Sequence, residues 1–189
     1  WIVNWKSFLC SGILFFLAFS SCGYQFGYGN PAYKGKSLSI PYVEGDLEGK
    51  FTAELIQATY RKNVFAYEEG QAQFILKVKI LDYSDENVGF NYSLDQAGNR
   101  SERTVATEGR LGMLVEVSLE DQEQKKIVFG PKKFHSKVDY DFDPDLSFVN
   151  VTQLSLGQLT ARDAAKDVAV DPLSRNLAEQ IIQYVLIAW

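Results

Sequence analysis

The sequence predicts an α+β fold: a two-layer sandwich in which two helices cover one face of a four-stranded, mostly antiparallel sheet. Three observations carry that prediction. Apolar residues alternate at a period of two from Phe74 to Leu119, around one polar turn, which is the pattern of a half-buried β-hairpin. A helical stripe of Phe51, Leu55, Ala58 and Lys62 precedes the hairpin, with the Lys62 stem extending the stripe while its charge stays in water. A second stripe of Leu173, Leu177, Ile181 with Ile182, Val185 and Trp189 closes the chain. The order is strand, helix, three antiparallel strands, helix, which sets the helices against one side of the sheet.

The first segment reads as an address and not as structure. Lys6 precedes the uncharged run Phe8 to Phe19. That run is shorter than the roughly 20 apolar residues a membrane span needs, and it fits a secretory h-region. Ser20 and Ser21 follow, and then Cys22. Small residues directly before a cysteine, after an h-region, resemble the lipobox of bacterial lipoproteins. The thiol would take a diacylglyceryl group, and cleavage would fall just before it. Phe19 stands where that motif usually has Leu. Two or three acyl chains on Cys22 would hold a domain on a membrane without a transmembrane helix. Gly23 in place of Asp fits export to the outer membrane. The expected division is residues 1–21 as a lipoprotein signal peptide, 22–36 as a lipidated tether rich in Gly and Tyr, and 37–189 as a single α+β domain.

Within that domain Ser37 to Val43 reads as a short strand with Leu38, Ile40 and Tyr42 on one side. Pro41 demotes it to an edge or to the end of a pairing. Asp46 is placed to cap the helix expected over about 47–63, whose first turn Gly49 weakens. Phe74, Leu76, Val78 and Ile80 then face one way, and Ile75, Lys77, Lys79 and Leu81 the other. The alternation loosens over 82–87, resumes, and turns at Asp95 to Asn99. The returning strand places Val105, Thr107, Gly109, Leu111, Met113, Val115, Val117 and Leu119 on one face. In the next strand Ile127 and Phe129 point inward, and after Gly130-Pro131 the apolar parity passes to Phe134, Ser136, Val138 and Tyr140. A parity change within one strand needs an extra residue, so a bulge is expected at Gly130-Pro131. Residues 141–157 read as a loop and 159–170 as helical. Asp171-Pro172 reads as a cap followed by Pro at the first position of the last helix.

Composition narrows the function. The 189 residues are 46% hydrophobic, enough for one domain with a core. Residues 1–21 hold one base, Lys6, and no acid, so the remainder has 18 basic and 24 acidic residues, a net charge of −6. That balance argues against nucleic acid as a partner. The two cysteines, Cys10 and Cys22, both precede the domain, which excludes a disulfide framework and a cysteine zinc site there. The single histidine, His135, lies in a strand without a nucleophile elbow. The acidic run Asp139 to Asp145 lacks the glycine and distal glutamate of an EF-hand. Asp82, Asp85 and Glu86 read as solvated loop acids. The expectation is a protein with no catalytic residues, no metal site and no cofactor beyond the acyl groups on Cys22, which acts by binding. Strand parity sets Lys77, Lys79, Arg110 and Lys137, with His135, on the sheet face away from the helices, diluted by Glu108, Glu116 and Asp139. Such groups can converge on a phosphate-bearing ligand, so these four are the candidate anionic-lipid-binding face.

The order of these features resembles the LptE family of lipopolysaccharide-assembly lipoproteins. Cys22-Gly23-Tyr24-Gln25-Phe26 resembles its lipidated start. Ser39-Ile40-Pro41-Tyr42-Val43-Glu44, with Phe51-Thr52-Ala53-Glu54-Leu55, resembles its first strand and helix. Asp95 to Asn99 resembles its hairpin turn, and Ala161 to Ala165 with Leu177 to Ile182 resembles its C-terminal helical segment. The break at Asp171-Pro172-Leu173 departs from the family's more continuous helix, and the loop over 141–157 is long. The resemblance implies an outer-membrane protein, lipid-anchored on the periplasmic side or in a barrel lumen. It would plug and help assemble the LptD-like lipopolysaccharide-translocating β-barrel and contact lipopolysaccharide on its way to the outer leaflet. The alternative is another envelope lipoprotein acting as an auxiliary binding module of a transporter.

Overall fold

The computed structural model describes residues 35–94, 100–142 and 156–187. In chain order the elements are β1 (Ser37–Ser39), α1 (Lys50–Lys62), β2 (Ala66–Tyr67), β3 (Phe74–Leu94), β4 (Arg100–Asp121), β5 (Lys126–Asp141) and α2 (Leu156–Ile187). Cys22, the turn over 95–99, most of the expected loop over 141–157, and Trp189 lie outside the described residues.

The α+β class holds, but among the described residues the sheet has five strands and is mixed, in the order β2-β1-β3-β4-β5. The extra strand is β2, which pairs parallel to β1 through Ser37↔Ala66 and Leu38↔Tyr67. Two residues are too few for a period to register, so its sequence carries no strand pattern. The parallel pairing follows from the helix α1 between β1 and β2, because a crossover returns the chain in the same direction. β1 also pairs parallel to β3, so it lies inside the sheet and not at its edge. Its ladder ends at Ser39, before Pro41, as the missing proline N–H requires. The chain rejoins β3 further on, where Glu44 N donates to Val78 O and Ile80 N donates to Glu44 O. The detour turns Val43 into the core in place of Tyr42, which is 62% exposed.

Helix α1 buries Phe51, Leu55 and Ala58, as its stripe predicts, together with Thr52 and Thr59. Its N-cap is Gly49, in the left-handed region at φ 73°, and not Asp46. Asp46 still serves the helix end from three residues further back. Its buried Oδ2 accepts from Thr52 N at 2.8 Å and from Thr52 Oγ1 at 2.7 Å, satisfying one of the first-turn donors that have no partner within the helix. Thr52 Oγ1 in turn accepts from Val43 N at 3.2 Å. Asn63 closes the helix at φ 48°.

The long hairpin forms as its alternation predicts. Leu76↔Leu119, Val78↔Val117 and Ile80↔Val115 pair on the helix side. A register shift between Ile80 and Asp82 inserts Leu81 as an extra residue, and this is where the pattern loosens. Past it, Tyr83 and Asp85 face the helices opposite Met113 and Leu111. In β5 the ladder shifts between Val117↔Lys132 and Leu119↔Phe129, so the bulge falls at Gly130-Pro131 as the parity change requires. Gly130 sits at φ 91°, and a Cβ there would lie 2.5 Å from Val117 O, which leaves glycine as the residue that fits. A second shift pairs Ile127 with Glu120, leaving Ile127 52% exposed and not inward. The last β4–β5 pair is Glu108↔Asp141, whereas β3 and β4 stay paired out to Leu94↔Arg100.

Helix α2 is one continuous helix of 32 residues with Pro172 inside it. The expected break at Asp171-Pro172 is therefore absent, and Leu156 and Gly157 belong to the helix and not to the loop. Proline removes the bond to the carbonyl four residues back, that of Val168, a residue on the exposed side of the helix. Burial on both sides of the proline keeps the two halves in line. Ala169, Leu173, Leu177, Ala178, Ile181, Ile182, Val185 and Leu186 all enter one core with Phe51, Leu55 and the inner face of β3 and β4. Among the described residues no helix is long and apolar enough to cross a membrane.

Candidate functional site

Residues paired across an antiparallel ladder share a face, so the register settles which side chains stand away from the helices. Lys77 pairs with Ser118, Lys79 with Glu116, and Glu86 with Arg110. Arg110 pairs with Asp139, Gly112 with Lys137, Leu114 with His135, and Glu116 with Lys133. Lys77, Lys79, Arg110 and Lys137 therefore share the open face with His135. Lys133 joins them. Its parity was readable from the bulge, and sequence reasoning passed over it.

The face is not a free cluster of cations. Lys77 Nζ lies 2.7 Å from Glu120 Oε1, and Lys79 Nζ is bonded to Glu44 Oε1. Arg110 grips Asp139 with both arms, Nε to Oδ1 at 2.6 Å and Nη2 to Oδ2 at 2.7 Å. The hydrogen bond from Arg110, opposed by a small burial cost, holds the Asp139 carboxyl below its usual range. Hydrogen bonding to Glu44 raises the Lys79 ammonium. Both shifts arise from pairs that a phosphate would have to displace. Lys137 has no ion pair among the described residues. It flanks a shallow depression of about 230 Å³ with His135, Ser84, Asp82 and Glu86. Gly112 forms its floor, where a Cβ would come 2.5 Å from Ser84 Oγ.

The opposite side of the same strands carries a polar knot that sequence reasoning missed. Tyr140 OH donates to Asp85 Oδ1 at 2.8 Å. Arg162 Nη2 and Lys166 Nζ, both on α2, lie 3.3 Å and 3.2 Å from Asp85 Oδ2. Arg162 also rests over the Phe142 ring. Gly109 makes room for this knot, because a Cβ there would lie 2.3 Å from Tyr140 Cζ. Burial alone would raise the Asp85 carboxyl, but Tyr140, Lys166 and Arg162 more than offset it and hold it below its usual range. Burial, aided by the charges of Asp85 and Asp167, pushes the Tyr83 phenol up to about 12. Asp85 is thus a tie between sheet and helix and not a solvated loop acid. The Leu81 bulge, which carries it to the helix side, was the available signal.

Among the described residues a mixed sheet thus carries two helices on one face and a sign-mixed array of side chains on the other. A family model described as lipopolysaccharide-assembly matches residues 35–185, which places the protein among the envelope lipoproteins that serve lipopolysaccharide assembly. The chain belongs to the LptE family. No curated protein sequence matches it. Among solved structures it is similar to a minor lipoprotein from Acinetobacter baumannii, 17% identical, covering 81% of this chain and 92% of that one at a TM-score of 0.49. It is similar to a putative lipoprotein from Caulobacter crescentus, 19% identical, covering 80% and 89% at 0.47. It is also similar to the rare lipoprotein B from Shewanella oneidensis, 18% identical, covering 80% and 95% at 0.49.

Proposed function

We propose that the protein is an outer-membrane lipoprotein, anchored through diacylglyceryl and acyl groups on Cys22, that plugs and helps assemble an LptD-like β-barrel. It contacts lipopolysaccharide as that lipid passes to the outer leaflet, and it acts by binding without catalysing a reaction. The observation that carries this reading is the family match over residues 35–185. The open face suits it. A sheet face of Lys, Arg, Glu and Asp side chains is compatible with the polar interior of a large barrel. Charged groups already paired across strands need not be stripped of water alone.

Within that reading the four basic residues have unequal roles. Lys77, Lys79 and Arg110 meet carboxylates on their own sheet, so they shape the face. Lys137, without such a partner, offers its ammonium to a phosphate-bearing lipid beside the Gly112 depression. Lys137→Gln is expected to weaken binding of lipopolysaccharide to the isolated complex more than Lys77→Gln does, measured on the two variants side by side.

Affinity isolation of the full chain from detergent-extracted membranes tests the reading as a whole. An outer-membrane β-barrel is expected to stay attached. Recovery of the protein alone would sink the plug, and recovery with another transporter would favour an auxiliary module. Mass spectrometry of the same material is expected to show an acylated Cys22 at the N-terminus. An unmodified thiol would remove the anchor.

A further inference from the structure

Strand β5 is an outer edge of the sheet among the described residues. From Lys125 to Val138 the chain carries five lysines and no acid, on a protein of net charge −5. Lys125, Lys126, Lys132, Lys133 and Lys137 are all exposed, and none forms an ion pair among the described residues. The backbone of this edge is unspent as well. Phe142 N donates to Thr107 O, and bonded pairs recur at every second residue of an antiparallel ladder. The register runs unshifted from Asp141 back to Lys132. Phe134, Ser136, Val138 and Tyr140 thus give their N–H and C=O groups to β4. Lys133, His135, Lys137 and Asp139 turn theirs outward, with no strand beyond them among the described residues.

Those outward groups are a template for one more strand, and the charges select which strand it is. A second copy would set lysines against lysines, so the same side chains that guard the edge against self-pairing draw acids to it. The lysines also stand on both sides of the strand. Lys132 lies on the helix side, its Nζ 3.5 Å from the centre of the Tyr184 ring, while Lys133 and Lys137 stand on the open face. A flat lipid surface would meet one side only, whereas the side chains of an added strand alternate and meet both. We propose that the outer edge of β5, from Lys132 to Lys137, takes an acidic extended segment of a partner protein as a further strand. Its acids lie opposite residues 132–137 and not opposite Asp139 and Asp141. A closed barrel wall has no free strand edge to offer, so the segment is a loop or terminus, and the proposal stands apart from the plug reading.

The test titrates the full chain, in neutral detergent at low salt, with a short fluorescein-labelled peptide of threonine, valine and glutamate. A second peptide carries glutamine for glutamate. Fluorescence anisotropy is expected to show binding of the glutamate peptide and weaker binding of its glutamine counterpart. Lys132→Gln and Lys133→Gln together are expected to weaken the glutamate peptide about tenfold, the scale of two exposed ion pairs. Lys36→Gln with Lys62→Gln removes the same charge elsewhere and is expected to leave binding as it is. Amide hydrogen exchange is expected to slow at Lys133, His135 and Lys137 when the peptide binds. No binding, equal binding of the two peptides, or an equal loss from both pairs of substitutions would overturn the proposal. So would a bound peptide that leaves those amides unprotected. Displacement of the peptide by phosphatidylglycerol vesicles, with the amides still exchanging freely, would assign the edge to a lipid surface instead. Protection that rises with protein concentration alone would assign it to a second copy instead.

Discussion

Gly109 and Asp85 show how single positions join the two layers. The absent side chain at Gly109 is occupied by the Tyr140 ring, which carries its hydroxyl to Asp85. Gly109→Ala is expected to lower stability by about 1–3 kcal/mol, the usual cost of forcing extra volume into a packed site, as read from urea denaturation. Asp85 makes a pH prediction with a definite sign. Its folded carboxyl lies below its usual range, so the unfolded chain takes up the proton first as pH falls. Its contribution is therefore complete above the unfolded value, about 3.9, and fades as pH drops through the lower folded value. The stability gap between the native chain and Asp85→Asn should be constant near neutrality and shrink below about pH 4. A gap that widens with acid would contradict the ties to Tyr140, Lys166 and Arg162.

At the scale of elements, α2 is where local and tertiary preferences conflict. Proline inside a helix disfavours it by about 3 kcal/mol relative to alanine, and on local grounds alone Asp171-Pro172 is a helix start. The helix continues because Ala169 on one side and Leu173 on the other enter the same core. Pro172→Ala is expected to raise the melting temperature, by the equivalent of about 1–3 kcal/mol once relief is shared with existing relaxation. No gain would mean the proline is matched to a bend the core requires. The same conflict explains what was legible in the sequence. The inward residues of β3 and β4, the α1 stripe, the α2 stripe from Leu173 to Val185 and the Gly130 bulge each follow from a local period, and they are present wherever the residues are described. β2 was not legible because two residues have no period. The position of β1 inside the sheet was not legible because it depends on β2.

For the whole molecule, the candidate face was legible as a set of positions and not as an electrostatic surface. Parity placed Lys77, Lys79, Arg110 and Lys137 together, and the ladder confirms their shared side. What each cation meets is set by neighbours 29 to 43 residues away, such as Asp139 for Arg110 and Glu120 for Lys77. Spacing along one strand holds no record of those encounters. The helix-side knot was hidden for a related reason, since it needs the Leu81 insertion in β3 and the packing of Arg162 and Lys166 of α2 against that strand at once.

The hairpin outruns its support. Among the described residues only β3 and β4 stay paired past Glu108↔Asp141 and the adjoining bond from Phe142 N to Thr107 O, and Phe90 there is 50% exposed. A ribbon of two strands is marginal by itself in water, while three or more strands against a helix stand alone. Among the described residues the domain is thus a stiff handle with a slender blade. Deuterium should enter the amides of residues 87–91 and 104–107 well before those of 111–119, and a partner that grips the blade should slow that uptake without altering the handle.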